Sequence, residues 1–239
     1  MDLAGDGLLL VVPTYMEATN LPGLLEATFA AVPRAHVLIV DDASPDGTGA
    51  MAEAMSRRNT SVHVVHRAGK LGLGTAYVEG FAWALARGYA LVGEMDADLS
   101  HDPRDVPRLL RAIRAGADVA VGSRNVPGGG ILGWGLGRHV LSKGGSLYAR
   151  LVLGAPVRDM TTGFKIYTRE VLQAISPSTL RSNGYAFQIE TTYRALLAGA
   201  RVEEGPLVFV GRRAGASKIG RRVFVGAGWG GSGEGVAGR

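Results

Sequence analysis

The sequence predicts an α/β fold: a mostly parallel sheet with helices on both faces, formed as one domain. Three observations predict it. Short Val- and Ile-rich runs, too brief for helices, alternate with segments of helical period. The first four such runs each end in a polar or glycine-rich stretch, as strands do at a ligand-bearing rim. The 239 residues, 46% hydrophobic and 20% charged, have the composition of an ordinary globular core.

Taken in order, Leu8–Val12 is the first buried strand and ends in Pro13-Thr14-Tyr15-Met16-Glu17. A helix follows around Leu21–Val32. The strand Val37–Val40 ends in Asp41-Asp42-Ala43-Ser44 and leads to a helix at Gly47–Arg57. Asp41 is as well suited to capping that helix as to touching a ligand. The strand Val62–Val65 ends in His66-Arg67-Ala68-Gly69-Lys70, before a helix at Thr75–Arg87. Leu91–Gly93 ends at Asp96-Ala97-Asp98, Asp105–Ala115 is helical, and Val119–Val121 is the fifth strand. Consecutive strands joined by helices run parallel, so the strand-end segments converge on one rim.

Beyond Val121 the texture changes. Gly122–Gly137 reads as a mobile glycine-rich loop with apolar tips at Ile131, Leu132 and Trp134. An amphipathic helix is expected over Arg138–Leu153, with His139, Lys143 and Arg150 among leucines. Domain boundaries are set at 1–225, with 226–239 a glycine-rich disordered tail.

The absence of cysteine excludes disulfides and thiolate chemistry. No stretch approaches the ~18 apolar residues of a membrane span, and no charged-then-apolar leader follows Met1, so an unexported chain is expected. The net charge of +5 comes almost wholly from arginine, which favours phosphate-bearing partners or reflects genomic base composition. No nucleic-acid partner is expected.

The chemistry concentrates at Asp96 and Asp98. Two acids one residue apart at a strand end repel unless a cation lies between them. A hard ion such as Mg²⁺, held by one or two carboxylates, fills its remaining positions with water and substrate phosphate. The pair therefore points to a metal-bridged diphosphate, hence a nucleotide substrate. The Gly72 and Gly74 pair lacks the third glycine of a dinucleotide loop, and Gly69-Lys70 lacks phosphate-loop spacing. His36, His63 and His66 have no ligand spacing, and His101 reads as a solvated loop residue.

The strings VVPTYMEATNLPGLL, LIVDDASPDGTG, KLGLGTAYVEGF, MDADLSHDP, VGSRNVPGGGILGWG, DMTTGFKIYTREVL, GYAFQIE and RRAGASK occur in this order. From about Leu8 to Gly220 the chain resembles the dolichol-phosphate mannosyltransferases, the polyprenol-phosphate mannose synthases within family 2 of inverting glycosyltransferases. The resemblance implies a single nucleotide-binding domain of the GT-A type, GDP-mannose as donor, a polyprenyl phosphate as acceptor and Mg²⁺ or Mn²⁺ as cofactor. It places Pro13, Tyr15 and Glu17 at the base and ribose, with Val40 and Asp42 at the second base-binding strand end. Asp96, Ala97 and Asp98 match the nucleotide–metal motif, with Ser100 a further polar metal neighbour. Arg124 matches an arginine at the phosphates, and Arg212 and Lys218 match a pair closing over them. Asp98 and Arg124 are the implied catalytic residues.

The chain departs from the pattern at Gly211 and Ala216, where the family usually carries acids. The resemblance also implies a peripheral protein at the cytoplasmic membrane face. Contact would come from the Ile131–Trp134 loop, the following helix or a separate anchoring subunit. The rival readings are a transferase using UDP-glucose on the same lipid class, a nucleotidyltransferase, and a non-catalytic nucleotide-binding module.

Overall fold

The structure, a computed structural model, describes residues 3–133 and 136–211. The five expected strands are present as β1 (Leu8–Thr14), β2 (His36–Asp41), β3 (Val62–His66), β4 (Leu91–Glu94) and β5 (Val119–Ser123). Between them lie α1 (Leu21–Ala31), α2 (Thr48–Ser56), α3 (Leu73–Ala86) and α4 (Val106–Arg114). Residues of β1 alternate between the two faces of the sheet, and both faces are buried. Leu8, Leu10 and Val12 join one core cluster with Leu24 and Leu109, while Leu9 and Val11 join another with Tyr77 and Phe81. Such continuous apolar strands follow from a parallel sheet covered on both sides.

The second half of the chain adds β6 (Gly130–Leu132), α5 (Leu136–Leu153), β7 (Lys165–Thr168), α6 (Arg169–Ala174), α7 (Gly184–Leu197), β8 (Val202–Pro206) and β9 (Val208–Val210). The main sheet runs β3-β2-β1-β4-β7-β5-β8, and β6 pairs with β9 in a second, two-stranded sheet. Every neighbour in the main sheet is parallel except β7, which lies antiparallel between β4 and β5. The glycine-rich stretch read as a loop thus contains an ordered strand, with Gly130 opposite Val208 and Leu132 opposite Val210. Three residues paired with a partner so distant in sequence leave no local signal. The expected helix begins two residues earlier than its sequence pattern, at Leu136. Trp134 and the 226–239 tail lie outside the described residues.

The order of β1 to β4 creates the site. The chain winds outward from β1 through β2 to β3, then returns to place β4 on the other side of β1. A sheet that reverses direction in this way opens a crevice at the carboxyl ends of the two flanking strands. Thr14, Asp41 and His66 stand side by side at that end, and Glu94 pairs with Val11 of β1.

Beneath the rim, β7 introduces a buried polar network. Lys165, opposite Glu94 across the β4–β7 ladder, is fully buried. Its ammonium donates to the Gln188 carbonyl at 2.9 Å, Gln188 Oε1 at 2.8 Å and Thr191 Oγ1 at 3.3 Å. Glu94 Oε1 accepts from the Tyr167 hydroxyl at 2.9 Å. Burial raises the Glu94 carboxyl above its usual range and lowers the Lys165 ammonium to about 8.

That depression fixes a sign. Between about 8 and the ordinary lysine value of ~10.4, the unfolded chain binds the proton that folded Lys165 has lost. Native stability should therefore rise with pH through this window, by an amount on the order of 3 kcal/mol from this group. Denaturant unfolding from pH 8 to 10 is expected to show a steeper rise in the unaltered protein than in Lys165→Met. Equal slopes would mean that Lys165 is not held in its depressed state.

Candidate active site

Three carboxylates at and beyond the end of β2 shape one side of the crevice, and all three are engaged by the protein. Asp41 Oδ1 accepts from Thr14 Oγ1 at 2.9 Å and Ser44 Oγ at 2.6 Å, tying the β1 and β2 ends together. Asp46 accepts from Thr48 Oγ1 at 2.6 Å and from the Ala18 amide at 3.2 Å. Burial alone would push the Asp46 carboxyl up, but these donors hold it below its usual range. Asp42 forms a 2.6 Å ion pair with the almost fully buried Arg67 and accepts from the Leu71 and Gly72 amides. The carboxylate expected near the base thus also organises the 67–72 loop.

That loop explains the two glycines. Gly72 has φ +102°, and a Cβ there would lie 2.3 Å from Asn183 Nδ2. A Cβ on Gly74 would lie 2.6 Å from the Ser182 carbonyl oxygen. Asn183 Oδ1 in turn accepts from the Gly74 amide at 2.8 Å. Glycine at both positions lets α3 start against the segment preceding α7.

The other residues expected near the base occupy the same wall. Val40 and Glu17 are buried, Pro13 and Tyr15 partly so, and Lys70 Nζ stands 4.2 Å from the Tyr15 ring centroid. Glu17 accepts from Asn20 Nδ2 at 2.7 Å, and its amide donates to Thr48 Oγ1. Pro13 pairs with Val40 across β1 and β2, so Tyr15, Glu17 and Asp42 cluster with them at the adjoining ends of the two strands.

The acidic motif forms the tight bend after β4. Leu99 has φ 60°, and the Ser100 amide donates to Asp98 Oδ1 at 3.1 Å. The Asp96 amide donates to His101 Nδ1 at 3.1 Å, placing the ring proton on Nε2. His101 is 2% exposed, stacks on Phe164 at 5.1 Å between centroids and meets Phe209 edge-on at 5.5 Å. It is therefore not the solvated loop residue the sequence suggested. Burial lowers its imidazole to about 4, so it is neutral and holds the Asp96 backbone in place.

Among the described residues no group of three or more histidine and acidic side chains forms a metal cage. The donors present fit a different type of site. Asp96 is about one-third exposed, Ala97 is buried between the two acids, and Ser100 Oγ is buried with no hydrogen-bond partner among the described residues. Two carboxylates and a hydroxyl suit a divalent ion whose other ligands come from a diphosphate and water.

Opposite the acids, Arg124 follows β5. Its guanidinium forks onto Asp159, with Nε to Oδ2 and one terminal nitrogen to Oδ1, both at 2.7 Å. The same terminal nitrogen reaches Thr161 Oγ1 at 2.8 Å, and the Arg124 amide also donates to Asp159. Burial would raise the Asp159 carboxyl, yet the arginine fork keeps it below its usual range. Asp96 lies within electrostatic reach of the guanidinium. The antiparallel direction of β7 is what brings Asp159–Phe164 to the rim, and no role for Asp159, Thr161 or Arg67 was expected from the sequence. A buried partner for Arg124 could have been sought among the acids, but the 35-residue separation offered no pattern to single out Asp159. Arg212 and Lys218 lie outside the described residues. Before them, the Val210 amide approaches the Ser100 carbonyl, and the Gly211 amide donates to the Leu132 carbonyl at 2.8 Å.

A family model described as Glycosyl transferase family 2 matches residues 9–176. The polyprenol monophosphomannose synthase of Mycolicibacterium smegmatis is 49% identical over 212 residues, covering 88% of this chain and 80% of the relative. The undecaprenyl-phosphate mannosyltransferase of Micrococcus luteus is 47% identical over 211 residues, covering 88% and 86%. Among solved structures, glucosyl-3-phosphoglycerate synthase from Mycobacterium tuberculosis, in complex with Mn²⁺, UDP and glucosyl-3-phosphoglycerate, matches with a TM-score of 0.63. It is 21% identical, with 89% of this chain and 74% of that one covered. The mannosyltransferase PcManGT from Pyrobaculum calidifontis, in complex with GDP-Man and Mn²⁺, matches with a TM-score of 0.57 at 19% identity, covering 88% and 59%. These structural likenesses establish the fold.

Breaking a buried ion pair by removing one partner typically costs about 3–5 kcal/mol, because the other charge is left uncompensated. Asp159→Asn is expected to destabilise the protein by about that amount, and Arg124→Lys by somewhat less, since lysine keeps the charge but not the fork. Denaturant unfolding of both single variants and the double variant should reveal strong coupling. Additive effects would show that the two side chains are not held as one unit.

Proposed function

Since the chain belongs to glycosyl transferase family 2, we propose that it transfers mannose from GDP-mannose to a polyprenyl phosphate, with inversion at the anomeric carbon. The observation that carries the reading is the pairing of the Asp96–Asp98 bend with the Arg124–Asp159 fork on one rim, in a chain nearly half identical to two polyprenyl-phosphate mannosyltransferases. An oxygen of the acceptor phosphate attacks C1 of the mannose from the side opposite the diphosphate. The new C1–O bond forms as the old one breaks, and GDP leaves with the bonding electron pair.

This chemistry needs no protein base. The second ionisation of a phosphate monoester lies near 6, so the attacking oxygen is already an anion at neutral pH. A neutral, buried His101 accords with that requirement, because it orients Asp96 rather than exchanging protons. In the proposed site Asp96 and Asp98, with Ser100 beside them, hold a divalent ion, Mg²⁺ or Mn²⁺. When bound, that ion offsets charge on the departing diphosphate. Arg124 lies across the crevice where the two phosphorylated substrates must meet. Their repulsion in a partly dry cleft needs fixed cations to offset it, and a guanidinium held by Asp159 requires no reorganisation during the reaction. Arg212 and Lys218 are proposed to add to this cationic cluster. Pro13, Tyr15, Glu17, Val40 and Asp42 form the proposed wall for the base and ribose.

The acceptor of this reaction is amphiphilic, which requires the protein to work at a membrane surface. No helix among the described residues is long and apolar enough to cross a membrane. α5 offers an alternative means of contact. Leu147, Tyr148, Leu151 and Val152 are each more than half exposed on its outer side, while Ser146 and Ala149 are buried on its inner side. Ser146 Oγ lies 3.2 Å from Thr161 Oγ1, so the helix adjoins the catalytic rim directly.

Incubation with labelled GDP-mannose, Mg²⁺ or Mn²⁺ and a polyprenyl phosphate is expected to yield an organic-extractable mannolipid and GDP. A nucleotide-sugar panel separates donors: faster turnover with UDP-glucose would overturn the mannose reading, and release of pyrophosphate would indicate a nucleotidyl transfer. Asp98→Asn should lower turnover by roughly 10²–10³ with the fold retained, the usual effect of removing one well-placed electrostatic group. Full activity of that variant, or of the unaltered protein in excess chelator, would exclude the metal-assisted route.

A further inference from the structure

Beside α5, a pocket of about 260 Å³ is lined by Asn125, Lys143, Leu147, Arg150 and Arg158. Three of its five lining residues are cationic and none is acidic. Lys143 and Arg158 are exposed, and Arg150 is half-buried with its Nε atom out of contact with water. That Nε finds no acceptor among the described residues, which is unusual for a buried guanidinium nitrogen. No ion pair joins any of the three cations to a carboxylate among the described residues. Glu204, the nearby acid, instead accepts from the Arg158 and Asp159 amides at 2.7 and 2.9 Å. Asn125 Nδ2 donates to the Arg158 carbonyl, fixing the pocket wall to the residue that follows Arg124.

The pocket opens beside an apolar surface. Leu147 lines it and also begins the exposed stripe continued by Tyr148, Leu151 and Val152. Positions three and four apart on a helix share a side, so the stripe and the cations of α5 present one amphipathic face. Charge complementarity selects the occupant. A convergent set of guanidinium and ammonium donors fits a phosphate, and the adjoining apolar stripe fits the acyl boundary beneath one.

We infer that this pocket seats the phosphate of an anionic bilayer lipid, distinct from the acceptor, while the Leu147–Val152 stripe enters the acyl boundary. The inference rests on the mannosyltransferase reading only for its purpose, which is to hold the crevice at the depth where a polyprenyl phosphate presents its head. The binding chemistry stands without it. Asn125 and Arg158 are sequence neighbours of Arg124 and Asp159, so a lipid phosphate here sets the orientation of the catalytic arginine towards the bilayer.

The test is sedimentation of the full chain with vesicles of phosphatidylcholine alone, or of phosphatidylcholine mixed with phosphatidylglycerol, in the absence of any sugar donor. Binding is expected on the mixed vesicles and should weaken at least tenfold in Arg150→Gln/Arg158→Gln, since each basic residue near an anionic surface contributes about fivefold. Arg150→Lys/Arg158→Lys, which keeps the charge, should retain most of the binding and so excludes misfolding as the cause. Mannose transfer to a short-chain polyprenyl phosphate in neutral detergent should be unchanged in the Gln variant. Equal vesicle binding by the Gln variant overturns the inference. A raised KM for the short-chain acceptor in detergent also overturns it, by giving the pocket to the acceptor. Release from vesicles by inorganic phosphate, beyond that caused by chloride of equal ionic strength, would make it a free-phosphate site instead. A chain without mannosyltransferase activity would still give the vesicle result, so failure of one reading is distinguishable from failure of the other.

Discussion

The buried Arg124–Asp159 ion pair is the constraint on which the rest of the site depends. Both side chains are almost wholly removed from water, and neither could remain charged there without the other. Their two parallel hydrogen bonds fix the end of β5 to the segment leading into β7. Thr161 joins the same fork, and Ser146 on α5 contacts Thr161 in turn. One desolvated interaction thus sets the position of Arg124, the β7 approach and the helix that carries the exposed apolar stripe.

The half of the crevice at the ends of β1 and β2 uses charge differently. The acids following β2 serve first as internal ties: Asp41 to Thr14 and Ser44, Asp42 to Arg67, and Asp46 to Thr48. A rim made of strand-end loops would otherwise be mobile, because loops bury little apolar surface. Charge-assisted bonds hold the loops instead, and because Asp41, Asp42 and Arg67 are nearly buried, these bonds also offset the desolvation of the charges themselves. Asp96 and Asp98 are the contrasting case: their bend is held through the Ser100 and Asp96 amides, and Asp96 keeps a solvent-facing side chain. The difference between the buried acids that tie the β2 end and the partly exposed Asp96 is a difference in exposure, and residue type alone does not reveal it.

Much of this arrangement was legible in the sequence. The apolar runs located β1 to β5 to within about two residues, because a strand buried on both faces must be apolar at nearly every position. The ordered motifs identified the family, the rim and the acidic pair. His101 was misjudged because a single histidine has no periodicity, and its burial comes from Phe164 and Phe209, far away in the chain. The Gly122–Gly137 stretch was misjudged because β6 is a strand only in the presence of β9.

By itself, then, the sequence determined the fold class, the polarity of the sheet's first half and the strand-end position of the Asp96–Asp98 pair, all of which follow from local period and local spacing. Only the tertiary structure decided that β7 runs antiparallel between β4 and β5, and that this reversal delivers Asp159 to Arg124. It also decided that Asp42 binds Arg67, that Lys165 is buried beneath the acids, and that three cations of α5 and its flank converge on one pocket. The physical reason is common to all of these. Each is a pairing between segments separated by many residues, and its free energy comes from excluding water at the contact, a quantity that exists only once the chain has closed.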